Sequence, residues 1–334
     1  MQAFMKTWDM GCKDSSFPRI LVPQGKAFLL TQVSFIGPCN SKIHVQIDGN
    51  MVAPEVMWGE KEMDHWILFL SVNELIIDGS GQIDGQGHAW WPCRKQSQHC
   101  LKIPNTLGIM SCQNARLTGL KFKDSPGKHI AIYKSSSAHL SDLSIDAPED
   151  SPNTDGIHID DTTHSGIFGS IIRTGDDCIS IGTGTYDLKI GHVACGPGHG
   201  ISIGSLGMYG SEAKVEQIHV FSCQFFNTMN GVRIKTWQGG HGYAKGIIFE
   251  DLNFTRVQNP IVINQFYCEY ANDECPIKSS AVRVSDVRYI DVGGTTNSKL
   301  AINLNCSQSM QCTEILMKMV NIQGTDAGVK AESY

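Results

Sequence analysis

Carboxylates, one histidine and two cations are concentrated in four short motifs near the middle of this 334-residue chain. In order, the motifs are Asn153-Thr154-Asp155-Gly156, Gly175-Asp176-Asp177-Cys178, Gly198-His199-Gly200 and Arg233-Ile234-Lys235. Asp155, Asp177 and His199 follow one another at intervals of 22 residues, and a fixed period of about that length is typical of a solenoid. Residues one coil apart in a solenoid stack above each other, so we expect these side chains to form one patch.

The residue types in this patch indicate acid–base chemistry on an acidic sugar. Three carboxylates on adjacent coils repel one another, which raises the pKa of at least one and keeps it protonated. Glycoside hydrolysis needs a protonated carboxyl for the leaving oxygen and an ionised carboxylate that activates water or attacks carbon. Arg233 and Lys235 alternate onto the same face of their strand, where they would bind a carboxylate of the substrate.

Each motif has a simpler interpretation when it is taken alone. Asn-Thr-Asp-Gly and Gly-Asp-Asp are common in turns, Gly-His-Gly fits a loop with an incidental histidine, and Arg-x-Lys fits a solvated strand. Asp and His also bind Ca²⁺ or Zn²⁺. Arg233 and Lys235 would oppose a divalent cation, so we predict neither a metal nor a cofactor. The occurrence of all four motifs in phase favours a functional site.

A recurring apolar-x-apolar triplet predicts the elements that position these residues. The triplets follow one another at intervals of 22 to 31 residues. Each alternates as a half-buried strand does, with its middle residue pointing away from the core. Several short strands per period, separated by turns rich in Gly, Asn, Asp and Ser, predict an all-β fold, a right-handed parallel β-helix solenoid. The triplets are Leu107–Ile109, Ile130–Ile132, Ile157–Ile159, Ile179–Ile181, Ile201–Ile203, Val232–Ile234 and Ile261–Ile263.

Other features of the chain refine this prediction. Hairpin turns and a leucine-rich pattern are missing, and we see no linker, so we predict one domain over residues 1–334. Apolar residues recur at helical spacing in residues 1–12, which predicts a short amphipathic helix that caps the end of the solenoid. The longer intervals, near residues 205–217 and 236–245, predict loops that flank a binding cleft.

Charge and cysteine content restrict the partners and the compartment. The net charge of −6 argues against nucleic acid or an anionic membrane as a partner, and no stretch is apolar enough to span a membrane. The 12 cysteines lack CxxC spacing, so we predict disulfides and a secreted protein, with two sequons at Asn253 and Asn305 as candidate glycosylation sites. No signal peptide is visible, and we therefore expect a processed or shortened form. The predicted pairs are Cys12–Cys39, Cys93–Cys100, Cys178–Cys195, Cys268–Cys275 and Cys306–Cys312, with Cys112 and Cys223 as free thiols.

The four motifs, together with the segments Cys195–Gly207 and Asn230–Trp237, resemble glycoside hydrolase family 28 and look like its plant polygalacturonases. The resemblance covers the chain from about residue 3 to its C-terminus. It implies hydrolysis of α-1,4 bonds between galacturonic acid units of pectin, with inversion. An inverting enzyme needs carboxyls about 6.5–9.5 Å apart to admit a water, which adjacent coils with an offset can supply.

The resemblance also implies a role for each motif residue. Asp176 would be the general acid, Asp155 and Asp177 would hold and activate the attacking water, and His199 would support protonation of the acid. The expected substrate-binding residues are Arg233 and Lys235 for the galacturonate carboxylate, with Tyr267 and Asn153.

The sequence departs from the family in its N-terminal segment, and it leaves alternatives to internal hydrolysis of pectin open. Plant members begin with a Gly-Asp-Gly-x-x-Asp-Asp-Thr-like segment, and this chain starts inside or after it, so we expect an incomplete first coil. We expect a monomer that cleaves pectin internally, with cell-wall inhibitor proteins as partners. Cleavage from the chain end, a Ca²⁺-dependent pectate lyase and an inactive polysaccharide-binding β-helix are the alternatives. Calcium dependence and unsaturated products would indicate the lyase.

Overall fold

A computed structural model describes residues 2–58, 64–96, 102–268, 275, 278–325 and 332–333. The described residues up to 158, together with 162–176, form one compact unit, called unit 1 below. Residues 159–161, together with those from 177 onwards, form unit 2. The prediction of a single domain with an incomplete first coil stays a prediction.

Unit 1 contains two helices and a series of short strands. The helices are α1 (Gln2–Lys13) and the six-residue α2 (Trp91–Gln96). The strands are β1 (Arg19–Val22), β2 (Ala27–Leu29), β3 (Val33–Ile36), β4 (Ile43–Ile47), β5 (Asn50–Val52), β6 (His65–Leu70), β7 (Leu75–Asp78), β8 (Gln82–Asp84), β9 (Asn105–Met110), β10 (Arg116–Thr118), β11 (Lys121–Lys123), β12 (Ile130–Tyr133), β13 (His139–Ser141), β14 (Ser144–Asp146), β16 (Thr163–Phe168) and β17 (Ile171–Arg173). Strand β15 (Ile157–Asp160) contains the passage of the chain from unit 1 to unit 2.

The strands of unit 1 form three parallel stacks, two of six strands and one of four. One stack contains β1, β4, β7, β10, β13 and β16. The second contains β2, β5, β8, β11, β14 and β17. The third contains β3, β6, β9 and β12, and there the predicted triplets Leu107–Ile109 and Ile130–Ile132 pair residue for residue.

Unit 2 has longer strands and a short 3₁₀ turn at Met208–Gly210. Its strands are β18 (Ile179–Ile181), β19 (Tyr186–Gly191), β20 (Ala194–Cys195), β21 (Ile201–Leu206), β22 (Glu212–Phe226), β23 (Asn230–Trp237), β24 (His241–Val257), β25 (Asn259–Tyr267), β26 (Arg283–Thr296), β27 (Leu300–Asn305), β28 (Thr313–Gly324) and β29 (Glu332–Ser333).

The triplets of unit 2 stack in register, as the sequence predicts. Strands β18, β21, β23, β25 and β27 pair in parallel, so the first and last residue of each triplet build two apolar columns that are fully buried from Ile179 to Ile263. The middle positions fall on the opposite face, because side chains alternate along a strand. Ser202 therefore lies beside Arg233 on the next strand.

The two predicted loops are mostly strand, so that prediction was wrong. Residues 212–217 belong to β22 and residues 241–245 to β24, and these segments pair with each other from Glu212 and His241 onwards. Only the short turns around Met208–Gly210 and before His241 lie outside strands. The extra residues in these coils lengthen two neighbouring strands together, which satisfies their backbone hydrogen bonds.

The predicted N-terminal capping helix is confirmed as α1. Its Trp8 is 2% exposed and packs on Phe35 and Phe69, with ring centroids 4.9 Å and 5.7 Å away. The Trp8 indole N–H donates to the Ile36 carbonyl oxygen. The helix therefore covers the apolar interior at the start of unit 1. Helix α2 was not predicted, since six residues are too few to show a helical period.

Four of the predicted disulfides are confirmed: Cys12–Cys39, Cys178–Cys195, Cys268–Cys275 and Cys306–Cys312. Cys93 is also disulfide-bonded, and its predicted partner Cys100 lies outside the described residues. Cys112 and Cys223 are buried free thiols, as predicted. Burial raises the pKa of the Cys223 thiol to about 12. Neither described helix has the length and apolar character that a membrane span requires.

Candidate active site

Three of the predicted site residues, Asn153, Asp155 and Asp176, lie in unit 1. The turn before Asp155 is closed by the buried Ser151 and Thr154 hydroxyls, whose oxygens lie 2.7 Å apart. Thr154 Oγ1 also accepts a hydrogen bond from the Gly175 N–H at 3.1 Å. A side chain at Gly175 would overlap the Ser151 carbonyl oxygen. Glycine is therefore required there, and the close approach of the two turns positions Asp176 beside Asn153.

The backbone at Asp155 is held by a buried histidine. His129 is fully buried, and its backbone N–H donates to the Asp155 carbonyl oxygen at 2.8 Å. His129 Nδ1 lies 3.1 Å from the same oxygen, and its Nε2 lies 3.4 Å from the Ser125 N–H nitrogen. These partners assign Nδ1 as the donor and Nε2 as the acceptor of a neutral ring. Burial lowers the pKa of His129 to about 4, so the ring stays neutral over most of the acidic range.

Asn153 and Asp155 line a cleft that also contains two cationic side chains. Asn153 has φ 53, a left-handed conformation that asparagine tolerates. Its Oδ1 accepts a hydrogen bond of 2.8 Å from Arg94 Nε on α2, and its Nδ2 lies 3.5 Å from Asp176 Oδ2. Lys128 also lines the cleft and is half-buried. The lining residues are Arg94, Ile103, Asn105, Pro126, Gly127, Lys128, Pro152, Asn153 and Asp155.

In unit 2, Asp177 is buried and its carboxylate accepts three hydrogen bonds. Ser202 Oγ donates to Oδ1 at 2.7 Å, and Arg233 Nη2 donates to the same oxygen at 3.0 Å. Lys235 Nζ donates to Oδ2 at 3.0 Å. The Asp177 side chain is 2% exposed, and those of Arg233 and Lys235 are 13% and 10% exposed. Asp177 is therefore a buried carboxylate whose charge is compensated by two cations.

The two predicted carboxylate-binding cations are thus placed on a carboxylate of the protein itself. Burial is the largest single influence and acts to lower the pKa of Lys235, but the charge of Asp177, the Tyr267 hydroxyl and the hydrogen bond to Asp177 together raise that pKa above its ordinary value. Lys235 stays protonated at every physiological pH. Arg233 Nε also donates to Ser202 Oγ at 3.1 Å. Both cations retain N–H groups beyond those used on Asp177 and Ser202.

His199 is positioned by the glycines on either side of it. Gly198 and Gly200 have φ 143 and 84, and a side chain on Gly200 would overlap the Asn230 carbonyl oxygen. The buried Asn230 side chain donates from Nδ2 to the His199 carbonyl oxygen at 3.3 Å. The His199 ring is half-buried, and a ring nitrogen lies within 4.8 Å of an Asp177 carboxylate oxygen. Unit 2 therefore brings His199, Asp177, Arg233 and Lys235 together.

Tyr267, the predicted substrate-contacting tyrosine, lies next to Lys235. Lys235 Nζ is 5.3 Å from the centroid of the Tyr267 ring, within the range of a cation–π interaction. Trp237 packs edge-on against Tyr267, with centroids 5.7 Å apart. Strand pairing explains this contact, because Trp237 on β23 is the register partner of Tyr267 on β25.

The two consecutive carboxyls Asp176 and Asp177 differ in their surroundings. Asp176 is half-buried and has an amide neighbour in Asn153, whereas Asp177 is nearly inaccessible and compensated by two cations. Carboxyls in unlike environments take unlike protonation states, which is how paired carboxyls divide the roles of acid and base. Asp177 and His199 also offer ligand atoms for a metal. A divalent cation there would have to displace Arg233 and Lys235 from the carboxylate.

Several residues of this region were missed from the sequence. Ser202 is the middle residue of a predicted triplet, and its position one coil before Arg233 is a signal that could have identified it. His129 gives no sequence signal, since one buried histidine resembles any other core residue. Arg94 and Lys128 come from segments distant from the motifs, and only the fold brings them to Asn153 and Asp155.

Comparison with known proteins shows one consistent family. The family described as glycosyl hydrolases family 28 matches residues 12–333. The polygalacturonase QRT2 of Arabidopsis thaliana is 42% identical, over 96% of this chain and 74% of its own length. A polygalacturonase of Persea americana is 42% identical, over 97% of this chain and 70% of its own length.

The fold is shared with solved structures at lower identity. The endo-xylogalacturonan hydrolase of Aspergillus tubingensis superposes with a TM-score of 0.86 at 21% identity, over 99% of this chain and 91% of that one. This likeness confirms the predicted fold, a right-handed parallel β-helix. The family match and the two relatives that are 42% identical over nearly the whole chain lead to one conclusion: this chain belongs to glycosyl hydrolases family 28 and is a glycoside hydrolase.

Proposed function

We propose that this glycoside hydrolase is a polygalacturonase that cleaves α-1,4-galacturonosyl bonds of pectin with inversion, internally within the polymer. The observation that carries the proposal is the contrast between Asp176 and Asp177. One is a half-buried carboxyl beside an amide, and the other is a buried carboxylate held by Ser202, Arg233 and Lys235. Inverting hydrolysis requires this division between a proton donor and an ionised partner.

In this proposal Asp176 donates its proton to the leaving glycosidic oxygen. Asp155 and Asp177 bind and activate the water that attacks the anomeric carbon, and His199 supports reprotonation of Asp176. Asp177 suits the ionised role, because Arg233 and Lys235 compensate its charge. His129 contributes indirectly, since it fixes the backbone of Asp155.

The substrate class follows from the cations around the acidic residues. Arg233 and Lys235 retain N–H donors beyond those given to the protein, and these can bind a galacturonate carboxylate. Tyr267 supports Lys235 and offers a ring face to the sugar. Asn153, held by Arg94, is the proposed polar contact on the unit 1 side. The proposal includes secretion to the cell wall, a monomeric state and recognition by cell-wall inhibitor proteins.

The test is a reducing-end assay on de-esterified polygalacturonate in the presence of EDTA, with products separated by size. We expect new reducing ends without new absorbance near 235 nm, because hydrolysis leaves no unsaturated sugar. Early products of intermediate length would support internal cleavage, and early release of monomer would instead support cleavage from the chain end. Unsaturated products that require calcium would contradict the proposal and favour a lyase.

A further inference from the structure

Among the described residues of unit 2, Tyr209 has the most solvent-exposed aromatic ring. The proposed reaction does not use this residue. Its side chain is 81% exposed. The ring stacks at 30° on Trp237, with centroids 6.4 Å apart. Trp237 in turn contacts Tyr267, and Tyr267 lies under Lys235. A continuous row of three rings therefore runs from the Lys235–Asp177 ion pair to the surface.

The backbone at Tyr209 holds this ring outward at a conformational cost. Tyr209 has φ 56 and ψ 25, a left-handed conformation that a bulky side chain adopts only under constraint. Gly207 and Gly210, on either side, have φ 78 and 80. Asparagine or glycine would occupy this position without strain.

The turn that carries Tyr209 is fixed against its neighbour. A Cβ on Gly207 would come within 2.8 Å of the Gly240 Cα, so the two backbones are in direct contact. Hydrogen bonds from the Gly210 N–H to the Gly207 carbonyl oxygen and from the Ser211 N–H to the Met208 carbonyl oxygen close the turn. The ring is therefore held in place before any ligand arrives, which reduces the entropy lost on binding.

We propose that Tyr209 is a stacking platform for a galacturonate ring of the polymer, at a position more distant from the cleaved bond than Tyr267. A pyranose ring presents a face of C–H groups that packs on an aromatic face. The Tyr209 ring is 81% exposed, so it has surface that a sugar ring can reach. The Lys235 ammonium at the other end of the row attracts the carboxylates of the same polymer. This inference rests on the proposed function, since it requires galacturonan as the substrate.

The test compares Tyr209→Asn with Tyr209→Phe. Asparagine removes the ring and accepts the left-handed backbone, so the turn is retained. Phenylalanine keeps the ring and removes only the hydroxyl. We expect Tyr209→Asn to raise KM for polygalacturonate about five- to tenfold, with kcat within about twofold of the wild type. Tyr209→Phe should match the wild type. Tyr186, 36% exposed on β19, provides the matched control Tyr186→Ala, which should change neither constant.

A binding measurement distinguishes failure of the proposed Tyr209 platform from failure of the proposed function. Polygalacturonate is titrated into Asp176→Asn protein, with and without Tyr209→Trp, while tryptophan emission is followed. We expect the added indole to shift its emission as polymer binds. An unchanged KM in Tyr209→Asn, or equal losses in Tyr209→Phe and Tyr209→Asn, would overturn the platform while the proposed function stands. Wild-type protein that neither binds nor cleaves polygalacturonate would overturn both.

Discussion

Lys235 Nζ lies 3.0 Å from Asp177 Oδ2, and the two side chains are only 10% and 2% exposed. Arg233 contacts the other carboxylate oxygen at the same distance. A surface ion pair contributes little to stability, but loss of one partner from a buried pair leaves an uncompensated charge. Stability and the proposed catalytic role are therefore coupled at Asp177.

We expect Lys235→Met to lower the free energy of unfolding by about 3–5 kcal/mol and to abolish hydrolysis. Adding Asp177→Asn should restore much of the stability, because it removes the uncompensated carboxylate, but it should not restore activity. Urea unfolding of the single and double variants measures the coupling. Losses that simply add in the double variant would contradict a stabilising pair.

Asp176→Asn tests the proposed proton donor. The amide has nearly the same shape but cannot protonate a leaving oxygen, so kcat should fall by about 10²- to 10⁴-fold. Binding of polygalacturonate should be retained, and calorimetry with the intact polymer would measure it. Asp146, an exposed aspartate on β14, serves as the control, and Asp146→Asn should turn over normally. Unchanged turnover in Asp176→Asn would exclude Asp176 as the acid.

The lowered pKa of the buried His129 leads us to expect that the stability of the protein depends on pH. Burial holds its folded pKa at about 4, below the ordinary value of 6.5. Between these values the unfolded chain binds a proton that the folded chain does not, so stability is complete above pH 6.5 and falls as the pH is lowered through about 4. The loss attributable to His129 is about 3 kcal/mol.

Thermal unfolding between pH 4 and pH 7 measures this effect. His129→Asn should reduce the pH slope, although His65, which burial also shifts to a pKa of about 4, should preserve part of it. The matched control is His139→Asn, which replaces an exposed histidine on β13. The same slope in His129→Asn as in the wild type would show that His129 is not the titrating group.

Lys128 tests whether the cleft of unit 1 binds the polymer. The lysine is half-buried in the cleft beside Asn153 and Asp155, so Lys128→Ala should raise KM about three- to tenfold, and by less at high salt. Lys121→Ala, at an exposed position on β11, should change KM by less than about twofold. Initial rates at two ionic strengths provide the comparison, and equal effects of both variants would contradict a specific contact.

The strands around the proposed site were predictable because two periods agree in the sequence. Apolar residues at every second position define the triplets, and the interval of 22 residues or more between triplets defines the length of a coil. The pairing of Ile201 with Val232 follows from these two periods. The same intervals do not show whether extra residues form a loop or lengthen a strand. Residues 212–217 and 241–245 lengthen two strands, because each segment finds its hydrogen-bonding partner in the other.

The side-chain contacts of the site were less predictable than its residues. The sequence identified Arg233 and Lys235 as cations near carboxylates, but an alternating strand does not show which carboxylate they contact. Their attachment to Asp177 depends on its burial, which is a property of the packed coils. His129 and Ser202 lack a distinctive motif, and they became recognisable only from their distances to Asp155 and Asp177.

The described disulfides share one property: both cysteines of each bridge are close in sequence. The separations are 27, 17, 7 and 6 residues. A disulfide that joins two cysteines so close in sequence can form while most of the rest of the chain is still unfolded. Each bridge can therefore form as soon as its own coil has been synthesised, before later coils emerge from the ribosome. Oxidation can then proceed in the order of synthesis, which limits mispairing among the 12 cysteines.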